Sequence, residues 1–161
     1  MSEPKTILCL ASFEKGHAFL REAKRQGWRV FLLTSKSLEV GGWPRESIDE
    51  IFFIPDKERE WNRTDALLGV SFMARRHHID RIVALDDYDV ETAAALREHL
   101  RVPGMGDTTA RYFRDKLAMR ITALASGIPV PECAPVINYD DLRGFMRRVR
   151  APWLLKPRFE A

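Results

Sequence analysis

The chain has 161 residues, 45% of them hydrophobic and 30% charged, with a formal net charge of +3. That balance supports a packed globular core and excludes a collagenous or wholly disordered chain. No apolar run is long enough to cross a bilayer, and the opening MSEPKT lacks the basic and apolar regions of a secretory leader, so a cytoplasmic protein with no membrane partner is expected.

Two cysteines, Cys9 and Cys133, form no CxxC pair, which argues for reduced thiols rather than a zinc site or a disulfide. The lysines and arginines are spread along the chain instead of forming blocks, and the positive balance is mild; nucleic acid is not expected as a partner.

Thr6–Ala11 (TILCLA) is a continuous apolar run of the kind found in strands buried on both faces of a parallel sheet. A turn over Ser12–Gly16 leads to a helix ending near Gln26, with Phe19, Leu20 and Ala23 expected inward, and Gly27 as its stop. Trp28–Leu33 is the second predicted strand, followed by a loop to Ser47 with Gly41-Gly42-Trp43-Pro44 at its tip. Glu50–Ile54 is the third strand, stopped by Pro55-Asp56. A helix is expected from Trp61 to Arg76, with Trp61, Asp65, Leu68 and Phe72 on one mostly apolar side. Arg81–Leu85 is the fourth strand, and Val90–Leu100 a helix with Ala93, Leu96 and Leu100 in register. Apolar strands alternating with helices predict an α/β fold, an open and mostly parallel sheet with helices on both faces.

Val102-Pro103-Gly104 breaks this pattern and marks a predicted domain boundary, with residues 1–103 before it and 104–161 after it. Beyond it, Asp107-Thr108-Thr109 can cap a short helix through Phe113. Leu117, Ile121 and Leu124 mark a second helix, which Gly127 and the prolines of Gly127–Pro131 (GIPVP) end. Cys133–Ile137 reads as a short strand. Asp140 can cap a helix carrying the stripe Leu142, Phe145, Met146 and Val149, and Pro152–Lys156 reads as a closing strand.

Several groups can carry chemistry. The first βα turn, Ser12–His17, sits where a dinucleotide fingerprint would lie, but the GxGxxG glycines are missing, which disfavours a nicotinamide enzyme. Glu14 or His17 can still touch a substrate there, or simply be solvated at a helix start. Asp86, Asp87 and Asp89, with Glu91 after them, can hold an ammonium group or a metal; alternatively Asp87 or Asp89 caps the next helix. His77-His78 and Arg147-Arg148 complement helix ends. Gly104-Met105-Gly106 is not a P-loop and marks a hinge between the two parts. Lys156, at the end of an apolar run and before Pro157, calls for an anion, either a nucleotide phosphate or a neighbouring carboxylate.

Taken together, Asp115-Lys116-Leu117-Ala118-Met119, then Gly127–Pro131, then Trp153-Leu154-Leu155-Lys156-Pro157-Arg158 resembles the opening of an ATP-grasp domain. Residues 1–103 resemble the Rossmann-like pre-ATP-grasp domain of that superfamily, and 104–161 an incomplete α+β N-terminal subdomain of the ATP-grasp fold. The resemblance implies a ligase that uses ATP and Mg²⁺ to activate a small carboxylate as an acyl phosphate for attack by an amine or other nucleophile. It assigns Lys116, Lys156 and Arg158 to the nucleotide, with Arg158 and Glu160 leading into a glycine-rich loop, and leaves Glu14, His17, Asp87 and Glu91 as substrate contacts. No catalytic residue and no metal ligand is expected within these residues: the loop's small residues, the adenine hinge and the metal-binding acids of the family have no counterpart. The resemblance therefore implies a truncated chain, inactive by itself. A non-catalytic nucleotide- or ligand-binding module built on the same fold stays open as an alternative, and a homo-oligomer is compatible with either.

Overall fold

The computed structural model describes residues 3–58 and 60–159. The chain divides into two compact units, the first reaching Ala110 and the second beginning at Arg111.

The first unit is built on four parallel strands, β1 (Thr6–Ala11), β2 (Arg29–Ser35), β3 (Glu50–Ile54) and β6 (Arg81–Ala84). They form one sheet in the order β3-β2-β1-β6. Every residue of β1 is buried, because the strand lies in the middle of the sheet with helices against both faces. On one face Leu8, Leu10, Phe31 and Leu33 pack with Ala66, Val70 and Met73 of α2 (Arg63–Met73) and with Ala93 and Leu96 of α3 (Val90–Leu100). On the other, Ile7, Cys9, Ala11, Val30 and Leu32 pack with Leu20 and Ala23 of α1 (His17–Arg25) and with Trp43. Each fully buried Leu or Phe contributes about 1.5–3 kcal/mol. Burial also pushes the Cys9 thiol up to about 12, so it stays an unreactive core group.

The α/β class and the parallel sheet expected from the apolar runs are those observed, but two helix faces are corrected. The buried residues of α2 are Ala66, Val70 and Met73, whereas Leu68 and Phe72 are 65% and 61% exposed. The helix starts later than expected because Asn62 caps it, accepting from Thr64 N and Asp65 N at 2.9 and 3.2 Å. Trp61 belongs instead to a small antiparallel pair, β4 (Asp56–Lys57) and β5 (Glu60–Trp61), and its indole donates to Ser35 Oγ. Phe19 of α1 is likewise exposed, leaving Leu20 and Ala23 to face the sheet.

α4 (Asp107–Arg114) runs across the boundary between the units, and α5 (Lys116–Ala125) and α6 (Tyr139–Arg148) belong to the second. Gly127 has φ +76°, the left-handed stop expected after α5. Asn138, not Asp140, caps α6, its Oδ1 accepting from Asp141 N at 2.8 Å. Neither Cys133–Ile137 nor Pro152–Lys156 forms a strand among the described residues. A strand needs a neighbour for its N–H and C=O groups, and no described residue supplies one. Lys156 consequently stands exposed instead of partly buried, and no residue of α5 or α6 is buried.

Candidate functional site

Strand order places β1 beside β6, with β2 and β3 on β1's other side. The connections therefore reverse direction between β1 and β6, and in open α/β sheets ligands bind at the carboxyl ends of such a switch point. Two loops that are far apart in sequence meet there. Ser12 N donates to Asp89 Oδ2 at 2.8 Å, the Lys15 ammonium lies 2.6 Å from Asp86 Oδ2, and the Phe13 and Tyr88 rings are 5.0 Å apart. Gly16 completes the fit. Its φ of +80° suits glycine, and a Cβ there would lie 2.7 Å from Leu85 Cβ.

The two acids differ electrostatically. Asp89 is only 2% exposed, and burial pushes its pKa up to about 6 against the opposing Ser12 N–H. Burial also pushes Asp86 upward, but the Lys15 ammonium and the Tyr88 N–H outweigh it and leave the carboxyl below its ordinary value. Asp86 in turn raises Lys15. The acidic loop therefore does hold an ammonium group, and that group is the chain's own.

Of the residues predicted to touch a substrate, Glu14 and His17 come together. Glu14 Oε1 accepts from Gly42 N at 3.0 Å and lies 3.7 Å from His17 Nε2, while the His17 ring packs edge-on against Trp43. Gly41 and Gly42 leave room for that carboxylate, since a Cβ on either would stand within 2.9 Å of a Glu14 oxygen. Asp87 lies exposed in the short helical turn Asp87–Asp89, and Glu91 is in the first turn of α3. Asp89 does not cap α3 through its side chain, being turned to Ser12, and Asp86 accepts from Tyr88 N at 3.2 Å. Lys15, Asp86 and Asp89 are the residues whose partners sequence reasoning missed. Their signal was position, since both loops follow apolar strands, but pairing them requires the strand order.

In the second unit, Asp115 caps α5, its Oδ1 accepting from Leu117 N and Ala118 N at 3.0 and 3.3 Å. The Arg158 guanidinium grips the same carboxylate through Nε at 3.0 Å and through Nη2. Lys116 N donates to Arg158 O at 3.0 Å, so the chain near residue 158 is fastened to the first turn of α5. The Arg158 guanidinium holds Asp115 below the usual carboxylate value despite burial, and Asp115 raises Arg158. The segments carrying Lys116 and Arg158 are thus joined through the backbone and through Asp115, while Lys156 stands exposed two residues before Arg158. Glu160 lies outside the described residues. Among the described residues, no group of three or more His, Cys, Asp or Glu side chains is arranged to hold a metal ion.

No protein-family model matches the chain. An L-arginine-specific L-amino acid ligase of Bacillus subtilis is 31% identical over 78 residues, 48% of this chain and 19% of that protein. The L-amino acid ligase of Bacillus licheniformis superposes with a TM-score of 0.67 at 19% identity, covering 81% of this chain and 31% of that one. The biotin carboxylase domain of the Hydrogenobacter thermophilus 2-oxoglutarate carboxylase, solved with MgADP, ADP and bicarbonate, matches 94% of this chain and 34% of its own, with a TM-score of 0.67 at 15% identity. The α/β fold with its four-stranded parallel sheet is the one found in the N-terminal portions of these ATP-grasp enzymes. The chain spans about a third of the length of these ATP-grasp structures.

Proposed function

We propose that this chain supplies the N-terminal share of an ATP-dependent carboxylate–amine ligase, and that Lys116, Lys156 and Arg158 bind the nucleotide's phosphates. The observation that carries this reading is the fastening of Arg158 and Lys116 to one another at the capped start of α5. It supports the reading by bringing the backbones of the two basic motifs together, so that their cations can reach one polyphosphate, and charge compensation of that kind is the main protein contribution to phosphoryl transfer. ATP, when bound, supplies the phosphoryl group that activates the carboxylate. The chain's own part is to hold the phosphates and to orient Arg158 through Asp115. The described residues offer no acidic set for Mg²⁺, so no metal-bound step is assigned to them.

The substrate contacts in this reading are Glu14, His17, Asp87 and Glu91, at the carboxyl ends of β1 and β6 and the first turn of α3. Glu14 and His17 are already oriented by Gly42 and Trp43. A carboxylate and an imidazole side by side suit a small ligand bearing both an ammonium and a carboxylate. The 161 residues alone are proposed not to turn over ATP.

Calorimetric titration of ADP into the full gene product tests the phosphate assignment. Lys116→Ala and Lys156→Ala are each expected to weaken binding about tenfold, the worth of a charge-assisted contact. Unchanged affinity in both variants overturns it. Carboxylate-dependent ADP release by the 161-residue chain overturns the assignment of inactivity.

A further inference from the structure

Gly104-Met105-Gly106, within residues 102–107 (Val-Pro-Gly-Met-Gly-Asp), reads from sequence as a hinge, since two glycines leave the backbone free to turn. The structure ties this stretch down from α3 and from β6. Arg97 Nε donates to Met105 O and Arg97 Nη1 to Ile82 O, both at 2.8 Å, with the residue only 9% exposed. The next residue, Glu98, accepts from Asp107 N at 2.9 Å. Val102 N closes the end of α3 by donating to Arg97 O at 2.9 Å. Asp107 Oδ1 lies 3.0 Å from Arg63 Nη2 on α2.

The glycines are shaped to these side chains. Gly104 has φ +146°, and a Cβ on it would lie 2.6 Å from Arg97 Cδ; a Cβ on Gly106 would run into Glu98 Oε1. The arginine itself is unusual. Burial lowers its pKa, and its hydrogen-bond partners are carbonyl oxygens rather than a carboxylate. A buried cation so placed is costly, and an apolar side chain would fill the space with less penalty. What it provides that an apolar side chain cannot is a two-pronged link between a strand carbonyl and a loop carbonyl.

We propose that Arg97 and Glu98 form a clamp that sets the backbone path of residues 104–107, so that this glycine-rich stretch is a rigid exit from α3 and not a hinge. Arg97 holds the loop by its carbonyl face and Glu98 by its amide face. The two glycines are there for close approach of the clamp, not for flexibility.

Amide hydrogen exchange on the intact chain, read by NMR at Asp107, tests the clamp. In the unaltered protein the Asp107 amide is expected to exchange at least tenfold slower than an unstructured amide, and Glu98→Ala to accelerate it about tenfold, the worth of one hydrogen bond to a charged group. Glu98→Gln, which keeps an acceptor oxygen, is expected to restore the slow rate. Arg97→Met is expected to accelerate Asp107 while the Leu8 and Phe31 amides stay unchanged. Glu98 is exposed, so its variants leave the core intact and decide the matter even if Arg97→Met unfolds. An Asp107 amide that exchanges at the unstructured rate overturns the clamp. So does one indifferent to Glu98→Ala, or an acceleration by Glu98→Ala that Leu8 and Phe31 share equally.

Discussion

The strand β1 and the helix α6 carry comparably strong hydrophobic patterns, yet all of β1 is buried and none of α6 is. The difference lies in what each unit offers as a partner surface. In the first unit both faces of the sheet are covered, by α2 and α3 on one side and by α1 and Trp43 on the other. In the second, Ile121, Leu124, Leu154 and Leu155 are exposed among the described residues. An apolar stripe is enough to specify a helix and its capping residue, but burial requires a second surface. The second unit is instead held locally, through the Asn138 and Asp115 caps and the Asp115–Arg158 pair.

That contrast can be broken most directly by truncating one residue on each side. Phe31→Ala removes a side chain packed within the sheet core and is expected to cost about 3–5 kcal/mol, whereas Leu124→Ala, at an exposed site, should stay within about 0.5 kcal/mol. Urea unfolding followed by circular dichroism measures both, and equal losses would show that the second unit has a core after all.

Asp89→Asn sharpens the electrostatic side of the first unit. The Asp89 pKa is raised from 3.8 to about 6 on folding. The stability linked to this group is therefore fully present below pH 3.8 and lost as pH rises through about 6. Replacing the carboxylate with a neutral acceptor should remove that loss. The variant's stability relative to the unaltered protein should then climb by on the order of 2–3 kcal/mol between pH 4 and pH 7. Unfolding free energies measured across that range check it, and a difference that does not change with pH would contradict the buried-acid reading.

Asp115→Ala probes the local fastening of the second unit and carries the smallest of these effects, about 1 kcal/mol for a lost helix cap. Its pH dependence has the opposite sign. The folded-state pKa of Asp115 is depressed, so its contribution is present above the ordinary carboxylate value and lost as pH falls. Faster amide exchange at Leu117 and Ala118, confined to neutral pH and absent in acid, is the expected result.

Much of the first unit is legible in the order of its residues. The continuous apolar runs at Thr6–Ala11 and Glu50–Ile54 are strands with the expected bounds, and Val90–Leu100 is a helix over its whole expected length. The helix faces that differ from expectation turn on which side meets the sheet. Leu68 and Phe72 are large apolar residues that point to the exposed side of α2, while Ala66, Val70 and Met73 face the core. Size ranks residues by what they gain on burial, but it does not say which side of a helix the sheet will cover. At the candidate sites, Glu14, His17, Lys116 and Arg158 are singled out by sequence. The partners of Lys15 and Asp89 are not, because their contacts join loops more than seventy residues apart.

By itself the sequence determined the α/β alternation, the glycine and proline stops, and the motif set around Lys116, Lys156 and Arg158. These are local properties, set by backbone preference and by the period of the apolar residues. Only the tertiary structure decided that β1 is central, that the two acidic and basic loops lock together at the switch point, and that Arg97 and Glu98 bond to Met105 O and Asp107 N. Each of those outcomes depends on which elements become neighbours in space, and neighbours are selected by the joint burial of surfaces that no single segment contains.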